Sequence, residues 1–212
     1  DLFCRALDNY GDIGVGWRLA ADLGARGEAV RLWLDDPAPL AWMAPQGAAG
    51  VTTVPWTGTP PDLAPGDVVV ELFGCDPPPR FVERMAAEPT PPVWLNLEYL
   101  SAEDYVERSH GLPSPQLAGP GRGLVKWFCY PGFTPRTGGL LREPGLMAER
   151  KAFDRTGWLA AQGLPAAPGE ALMSVFCYDG PPLPLPPGVR PLLAPGAAQR
   201  RFAAAPGATL LP

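Results

Sequence analysis

Residues 2–20 read LFCRALDNYGDIGVGWRLA. The apolar run at the start of this stretch predicts a short buried strand. The residues that follow are rich in Asp, Asn and Gly, which is typical of a turn. Val15, Leu19 and Leu23 then recur at helical spacing and predict a helix with one apolar stripe. Strand, turn and helix form the first unit of an α/β sheet, in which ligands bind beyond the carboxyl ends of the strands.

Further strands and helices alternate along the chain, joined by short connections. The predicted strands cover residues 29–34, 51–54, 67–73, 93–97, 124–128 and 171–176. This alternation predicts an α/β protein with a doubly wound sheet. A Pro- and Gly-rich linker divides the chain into a Rossmann-like domain at residues 1–165 and the beginning of a second domain at residues 166–212. Because both chain ends lie in strand-like runs, we expect the chain to be part of a longer protein.

Three further expectations concern segments whose pattern is less regular. We expect one helical segment between about residues 143 and 162, and irregular structure over residues 180–195, where prolines are dense. Four tryptophans on strand or helix faces are expected in the core: Trp17, Trp33, Trp94 and Trp127.

The chain is mildly acidic, with 22 Asp and Glu against 17 Lys and Arg, a net charge of -5 and a pI near 4.9. This balance argues against a nucleic-acid binder, which needs clustered basic residues. It suits a basic or cationic partner only weakly, because many soluble enzymes are mildly acidic and solubility alone is the commoner explanation. No apolar run approaches the ~18 residues of a membrane span and no signal peptide is visible, so we expect a cytoplasmic protein without membrane contact.

The cysteines and the single histidine do not predict a metal site. Cys4, Cys75, Cys129 and Cys177 are widely separated and form no CxxC pair. Buried free thiols in a reducing cytosol are the simplest interpretation. His110 lies in a polar Ser-His-Gly turn and is expected to be a surface residue.

The turn after the first strand carries carboxylates where a nucleotide loop would carry small residues. Gly11, Gly14 and Gly16 form GxxGxG, the reverse of the dinucleotide fingerprint GxGxxG. Asp8 and Asp12 flank this turn, and a carboxylate there would repel a pyrophosphate. NAD binding is therefore disfavoured at this site.

Spacing alone leaves two interpretations of these aspartates open. Asp12 could cap the following helix, which typically contributes ~1 kcal/mol, and Asp8 could bind the loop backbone. Alternatively, one aspartate is a general base and the other holds a cationic or hydroxyl-bearing group. The positive end of the helix would keep such a carboxylate ionised.

Two other pairs of residues lie where a site is expected in this fold. Glu98 and Tyr99 follow the strand at residues 93–97, although an exposed loop carboxylate is a commoner reason for a Glu at such a position. Phe176 and Tyr178 alternate at strand spacing where the second domain begins. They could pack in its core or stack on a nucleotide base.

Four stretches together resemble the EarP family, bacterial protein-arginine rhamnosyltransferases that act on translation elongation factor P. They are DNYGDIGV at residues 8–15 with WRLA at 17–20, WLNLEYLS at 94–101, FCYPGFT at 128–134 with TGGLLRE at 137–143, and SVFCY at 174–178. The matches occur in the family's order and extend over most of the chain.

The resemblance implies a GT-B glycosyltransferase with two Rossmann-like domains. It implies an inverting transfer of L-rhamnose from dTDP-β-L-rhamnose to an arginine of elongation factor P, without a metal cofactor. The family's two catalytic aspartates match Asp8 and Asp12; we predict Asp12 as the general base and Asp8 as its orienting partner, with exchanged roles as the alternative. The expected donor-binding residues are Phe176, Tyr178 and Gly14, and the expected acceptor-side residues are Asn9, Tyr10, Glu98 and Tyr99.

Two alternatives to this function remain. One is a related GT-B enzyme with another sugar or acceptor, and the other is a non-catalytic acidic module that binds a basic protein. The family carries most donor-binding residues later in its C-terminal domain, including a Glu-Asp-Ser run that does not occur before Pro212. We therefore expect the 212 residues alone to be inactive.

Overall fold

The computed structural model describes residues 1–6, 10–181 and 184–211. Its chain divides into two compact units, Asp1–Pro144 and Gly145–Pro212. This division falls earlier in the chain than the boundary expected after residue 165. The segment between the two positions is helical and packs with the second unit.

The first unit is built on one seven-stranded sheet. Its strands are β1 (Leu2–Cys4), β2 (Val30–Leu34), β3 (Val51–Pro55), β4 (Val68–Leu72), β5 (Val93–Leu97), β6 (Pro113–Pro115) and β7 (Val125–Cys129). They lie in the order β3-β2-β1-β4-β5-β7-β6, and every neighbouring pair is parallel except β6 with β7. The predicted α/β class is confirmed, and the order outward from β1 is that of a doubly wound, Rossmann-like sheet.

Helices cover both faces of this sheet. They are α1 (Gly11–Ala25), α2 (Leu40–Met43), α3 (Pro79–Ala87) and α4 (Tyr105–Ser109). Alternate residues of β1 enter different cores: Leu2 and Cys4 pack with α1 residues such as Ile13, whereas Phe3 packs with Phe81 of α3. A buried strand with both faces covered explains why β1 is apolar throughout.

Glycine lets α1 approach the chain before β3. A Cβ atom on Gly24 would lie 2.3 Å from the carbonyl oxygen of Ala49, so only glycine fits at this crossing. The close approach holds the C-terminal turn of α1 against the chain that leads into β3.

The second unit contains a small parallel sheet. Its elements are α5 (Leu146–Ala152), α6 (Arg155–Ala161), β8 (Ala171–Val175), β9 (Val189–Leu193), α7 (Ala197–Phe202) and β10 (Thr209–Leu210), and the strand order is β10-β9-β8. The predicted strand at residues 171–176 is confirmed.

Two expectations about this unit are wrong. Residues 180–195 are not irregular throughout, because β9 begins at Val189. The helical segment at 143–162 is interrupted, because Phe153 is extended and the carboxylate of Asp154 accepts a hydrogen bond from the backbone N–H of Gly157 at 3.0 Å, capping α6.

Candidate functional site

The site expected in this fold lies at the carboxyl edge of the sheet. β1 has β2 on one side and β4 on the other, so the connections that leave β1 and β4 diverge and open a crevice between them. Asp12 reaches this edge from the first turn of α1, Phe73 directly follows β4, and Tyr99 follows β5. Asp8 and Asn9 lie outside the described residues.

Asp12 does not cap α1. The N-cap residue of α1 is Tyr10, which makes no side-chain capping hydrogen bond, and Asp12 lies inside the first turn. Its carboxylate is half-buried and accepts a hydrogen bond at Oδ1 from the Tyr99 hydroxyl at 3.0 Å. A carboxylate at this end of a helix is stabilised by the helix dipole. The capping interpretation is therefore replaced by an oriented carboxylate.

Phe73 holds the Tyr99 ring in place. The two rings are stacked, with centroids 3.9 Å apart and planes 5° from parallel. Phe73 has a φ of 58°, in the left-handed region, and its backbone N–H donates to the carbonyl of Leu97 at 2.7 Å. A bulky residue rarely adopts this conformation, so the turn after β4 depends on its surroundings to persist.

Asn96 supplies part of that support. Its side chain is 1% exposed, accepts from the backbone N–H of Gly74 at 3.0 Å and donates through Nδ2 to Oε1 of Glu98 at 2.6 Å. Asn96 therefore ties the turn after β4 to the carboxylate of Glu98. Asn96 thus connects the turn that carries Phe73, on which Tyr99 stacks, with Glu98, one of the acidic residues predicted at this edge.

A buried ion pair lies under the same edge. Glu71 of β4 is fully buried and accepts a hydrogen bond from Nζ of Lys126, on β7, at 2.6 Å. Nζ also lies 4.6 Å from the centre of the Trp94 ring. Burial raises the pKa of the Glu71 carboxyl, and Lys126 opposes that shift. Sequence reasoning missed this pair, although a single Glu in an otherwise apolar strand was a signal for it.

The exit loop of β7 is held by His110, which is therefore not a simple surface residue. The imidazole is half-buried, and its Nδ1 accepts the backbone N–H of Tyr130 at 3.1 Å. Farther along, Glu143 forms a bidentate pair with Arg18 of α1, at 2.6 and 2.8 Å. Arg18 lowers the pKa of Glu143 through this hydrogen bonding. The stretch at residues 128–143 is thus held near its two ends by His110 and by Arg18 of α1.

The remaining predicted residues of the first unit lie beside α1. Tyr10 is exposed and packs edge-to-face on Trp42, with ring centroids 5.3 Å apart. Gly14 lies in α1, and a Cβ atom there would be 3.3 Å from Cε of Met43. The structure brings Asp12 into direct contact with Tyr99, and Asn96 holds the neighbouring Glu98.

Phe176 and Tyr178 lie in the second unit, directly after β8. They are 57% and 64% exposed, and their rings meet edge-to-face at 5.6 Å. Burial in a core does not account for rings this exposed. Among the first-unit tryptophans, Trp33 and Trp94 are buried as expected, whereas Trp127 is 42% exposed and contradicts the prediction.

Metal-binding clusters and membrane-spanning helices are both absent from the described residues. No group of three or more His, Cys, Asp and Glu side chains within residues 1–6, 10–181 and 184–211 could hold a metal ion. None of the helices in that part of the chain has the length and apolar content that a membrane crossing needs. Burial raises the pKa of the Cys4 and Cys75 thiols to about 12, so both are inert thiols in this fold.

The fold and the site define a Rossmann-like α/β protein with an oriented carboxylate at the switch point of its sheet. The family described as Elongation-Factor P (EF-P) rhamnosyltransferase EarP matches residues 1–185. The chain belongs to this family, and the resemblance seen in its motifs is confirmed.

Relatives from several bacteria agree with this assignment. Proteins named protein-arginine rhamnosyltransferase are 49% identical in Pseudomonas putida, over 86% of this chain and 51% of the relative, and 43% identical in Pseudomonas aeruginosa, over 87% and 52%. One from Shewanella oneidensis is 40% identical over 87% of this chain and 51% of its own length. The chain thus spans about half the length of these relatives.

Proposed function

We propose that this protein transfers L-rhamnose from dTDP-β-L-rhamnose to an arginine side chain of translation elongation factor P. Family membership supports the reaction class and the partner. The observation that carries the proposal for this chain is the Tyr99–Asp12 hydrogen bond, which orients a carboxylate in the first turn of α1. The protein would act in the cytoplasm, where translation factors are found.

An arginine is a demanding nucleophile, which explains the need for carboxylates. Its guanidinium is planar, charged and delocalised, so it must lose a proton as the new bond forms. Asp12 takes that proton as general base. Asp8, a few residues earlier in the chain, holds the remaining N–H donors by a charge-assisted contact and fixes the direction of attack.

The transfer is a single displacement. A guanidinium nitrogen attacks the anomeric carbon, the bond from that carbon to the dTDP oxygen breaks, and dTDP leaves with the electron pair. The proton passes to Asp12, and the configuration at the anomeric carbon inverts. No metal ion takes part in this proposal, and activity is expected to persist in the presence of a chelator.

The site residues divide between the two substrates. On the acceptor side, the proposal includes Glu98 and Tyr99, which follow β5, and Tyr10, which precedes α1. Asn9 is assigned to the same side by its match to the family motif. On the donor side, the exposed rings of Phe176 and Tyr178 offer faces on which thymine can stack. Gly14 is assigned to the donor side by its match to the family motif. Two Rossmann-like domains of a GT-B enzyme would hold the two substrates, the second only partly present in these residues.

The intact mass of elongation factor P tests this function. After incubation with the enzyme at its natural length and dTDP-β-L-rhamnose, we expect a gain of one deoxyhexose on one arginine. Asp12→Asn should abolish the gain while the far-UV circular dichroism is kept. The matched control is Asp67→Asn, because Asp67 is exposed and precedes β4, at the opposite edge of the sheet.

Other outcomes would overturn the proposal in distinct ways. A mass gain only with another nucleotide sugar would assign a different donor. Capture of elongation factor P without any mass gain would favour a binding module. Near-normal transfer by Asp12→Asn would remove Asp12 from the role of base.

A further inference from the structure

A cavity of about 580 Å³ opens at the carboxyl edge of the first unit, on the α3 side of the sheet. Its walls come from Arg5 after β1, residues 56–63 after β3, Asp76 after β4 and the first turns of α3. This volume is in the range of ligand-binding clefts. Asp12, Phe73 and Tyr99 do not line this cavity, so it is a separate feature of the same edge.

Three guanidinium groups line the cavity. Arg5 lies over the face of Trp56, 4.8 Å from the ring centre, and the Trp56 ring is itself fixed by a hydrogen bond from its Nε1 to the carbonyl of Cys4 at 3.1 Å. Arg80 and Arg84 are one turn apart on α3. The stacked arrangement keeps Arg5 at the rim with its N–H donors available along the edge of the guanidinium plane.

The charges of this cavity do not balance. Arg84 is paired with Asp62 at 2.5 Å, which leaves Arg5, Arg80 and Asp76. Within the described part of the chain, neither Arg5 nor Arg80 has a carboxylate at ion-pairing distance. The cavity is therefore a locally cationic place in a chain whose net charge is -5. An anionic group is the ligand that this arrangement favours.

We propose that the cavity binds an acidic side chain of the protein acceptor. This inference rests on the proposed function, which assigns the acceptor to residues of the first unit and the thymine of the donor to the aromatic pair of the second. Acceptor recognition would then use opposite charges at two points: the target arginine at Asp12, and a carboxylate at Arg5 and Arg80. Two such points fix the register of a protein surface more strictly than either contact alone.

Steady-state kinetics with the enzyme at its natural length test the cavity. Arg80→Gln and Arg5→Gln should each raise the KM for the protein acceptor about tenfold, as expected for loss of one charge-assisted pair. The kcat and the KM for dTDP-β-L-rhamnose should stay unchanged. Arg122→Gln is the matched control, because Arg122 is exposed in a turn outside the cavity. A higher salt concentration should reduce the difference in acceptor KM between the variants and the wild type, because salt screens the interaction between charges.

Direct binding separates failure of this inference from failure of the proposed function. Calorimetry of unmodified elongation factor P with the wild type and Arg80→Gln needs no sugar transfer, so weaker binding by Arg80→Gln supports the cavity even if no rhamnose is moved. Unchanged acceptor affinity and KM, with normal transfer, would overturn the cavity and leave the function standing. A rise in the KM for the donor alone would assign the cavity to a nucleotide phosphate. It would overturn the proposal that the cavity binds an acidic side chain of the protein acceptor.

Discussion

The hydrogen bond between Tyr99 and Asp12 joins residues 87 positions apart in the chain. Tyr99 follows β5, and its ring stacks on Phe73, which follows the neighbouring strand β4. This stack determines where the Tyr99 hydroxyl lies. A hydroxyl that donates to one carboxylate oxygen directs the other oxygen of the same group. At the scale of single residues, Tyr99 is thus a positioning residue for the proposed base.

Tyr99→Phe tests this role, because it removes the hydroxyl and keeps the ring on Phe73. A hydrogen bond to a charged group is worth about 1.5–3 kcal/mol, so we expect kcat to fall about ten- to a hundredfold. The KM for the donor and the thermal stability should change little. The matched variant is Tyr105→Phe, whose exposed ring contacts Tyr130. Equal kcat in both variants would show that Asp12 does not need the Tyr99 hydroxyl.

The sequence predicted several residues of the site but not the contacts between them. Asp12, Glu98 and Tyr99 were predicted, because a residue after a parallel strand must reach the carboxyl edge. The pairing of Tyr99 with Asp12 was not, since it depends on a left-handed turn at Phe73 that nothing local requires. His110 and Asn96 were missed for the same reason: their partners lie on other elements.

At the scale of elements, Asn96 connects the turn after β4 with the end of β5. Asn96 can serve both neighbours because an amide has a donor and an acceptor side. Backbone strain at Phe73 and the position of Glu98 are therefore connected through one buried side chain. A change in that side chain should affect both.

Exchanging the amide of Asn96 and the carboxylate of Glu98 tests this connection. Asn96→Asp keeps the group that accepts from Gly74 but sets two carboxylates against each other, so we expect a stability loss of about 1–3 kcal/mol. Adding Glu98→Gln should recover much of the loss, because the new amide donates to the new carboxylate. Urea denaturation followed by tryptophan fluorescence measures this recovery.

Activity of the same double variant separates structure from chemistry. If Glu98 contacts the acceptor as a charged group, the recovered stability will not restore the KM for the protein acceptor. Full recovery of both quantities would mean that Glu98 only holds the loop. Additive losses in the double variant would mean that Asn96 and Glu98 are not coupled.

Elements were predicted well where their pattern is strong. The parallel strands of the first unit are apolar runs closed by turn residues, and all of the predicted ones form. β6 was missed because it is a short Pro-Ser-Pro segment, and such a strand forms only by pairing at a sheet edge. Trp127 was misassigned because apolar character does not tell which face of β7 is covered: Val125 and Trp127 share the exposed face.

At the scale of the whole molecule, the residues proposed for the two substrates are divided between the two units. The proposed acceptor residues lie in the first unit, and the exposed aromatic pair lies directly after the first strand of the second unit. The expectation that these 212 residues alone are inactive remains a prediction. So do the GT-B architecture and the domain boundary after residue 165.

The aromatic pair after β8 gives the sharpest test at this scale. Stacking of a base on an aromatic ring contributes ~1–3 kcal/mol, so Phe176→Ala in the enzyme at its natural length should raise the KM for dTDP-β-L-rhamnose about tenfold or more. The KM for the protein acceptor should not change. Because Phe176 is 57% exposed, the thermal midpoint should shift little. Phe153→Ala is the matched control, since Phe153 is a similarly exposed ring of the second unit that packs on Trp158.

The outcomes separate a donor contact from simple packing. A raised donor KM in Phe176→Ala alone, with Phe176→Tyr near wild type, supports stacking on thymine, because the Tyr ring keeps the face that a base needs. A lower thermal midpoint with unchanged kinetics would instead make Phe176 a packing residue of the second unit. An equal rise in the donor KM in Phe176→Ala and Phe153→Ala would show that Phe176 does not contact the donor specifically. The donor would then have to be held by other parts of the protein.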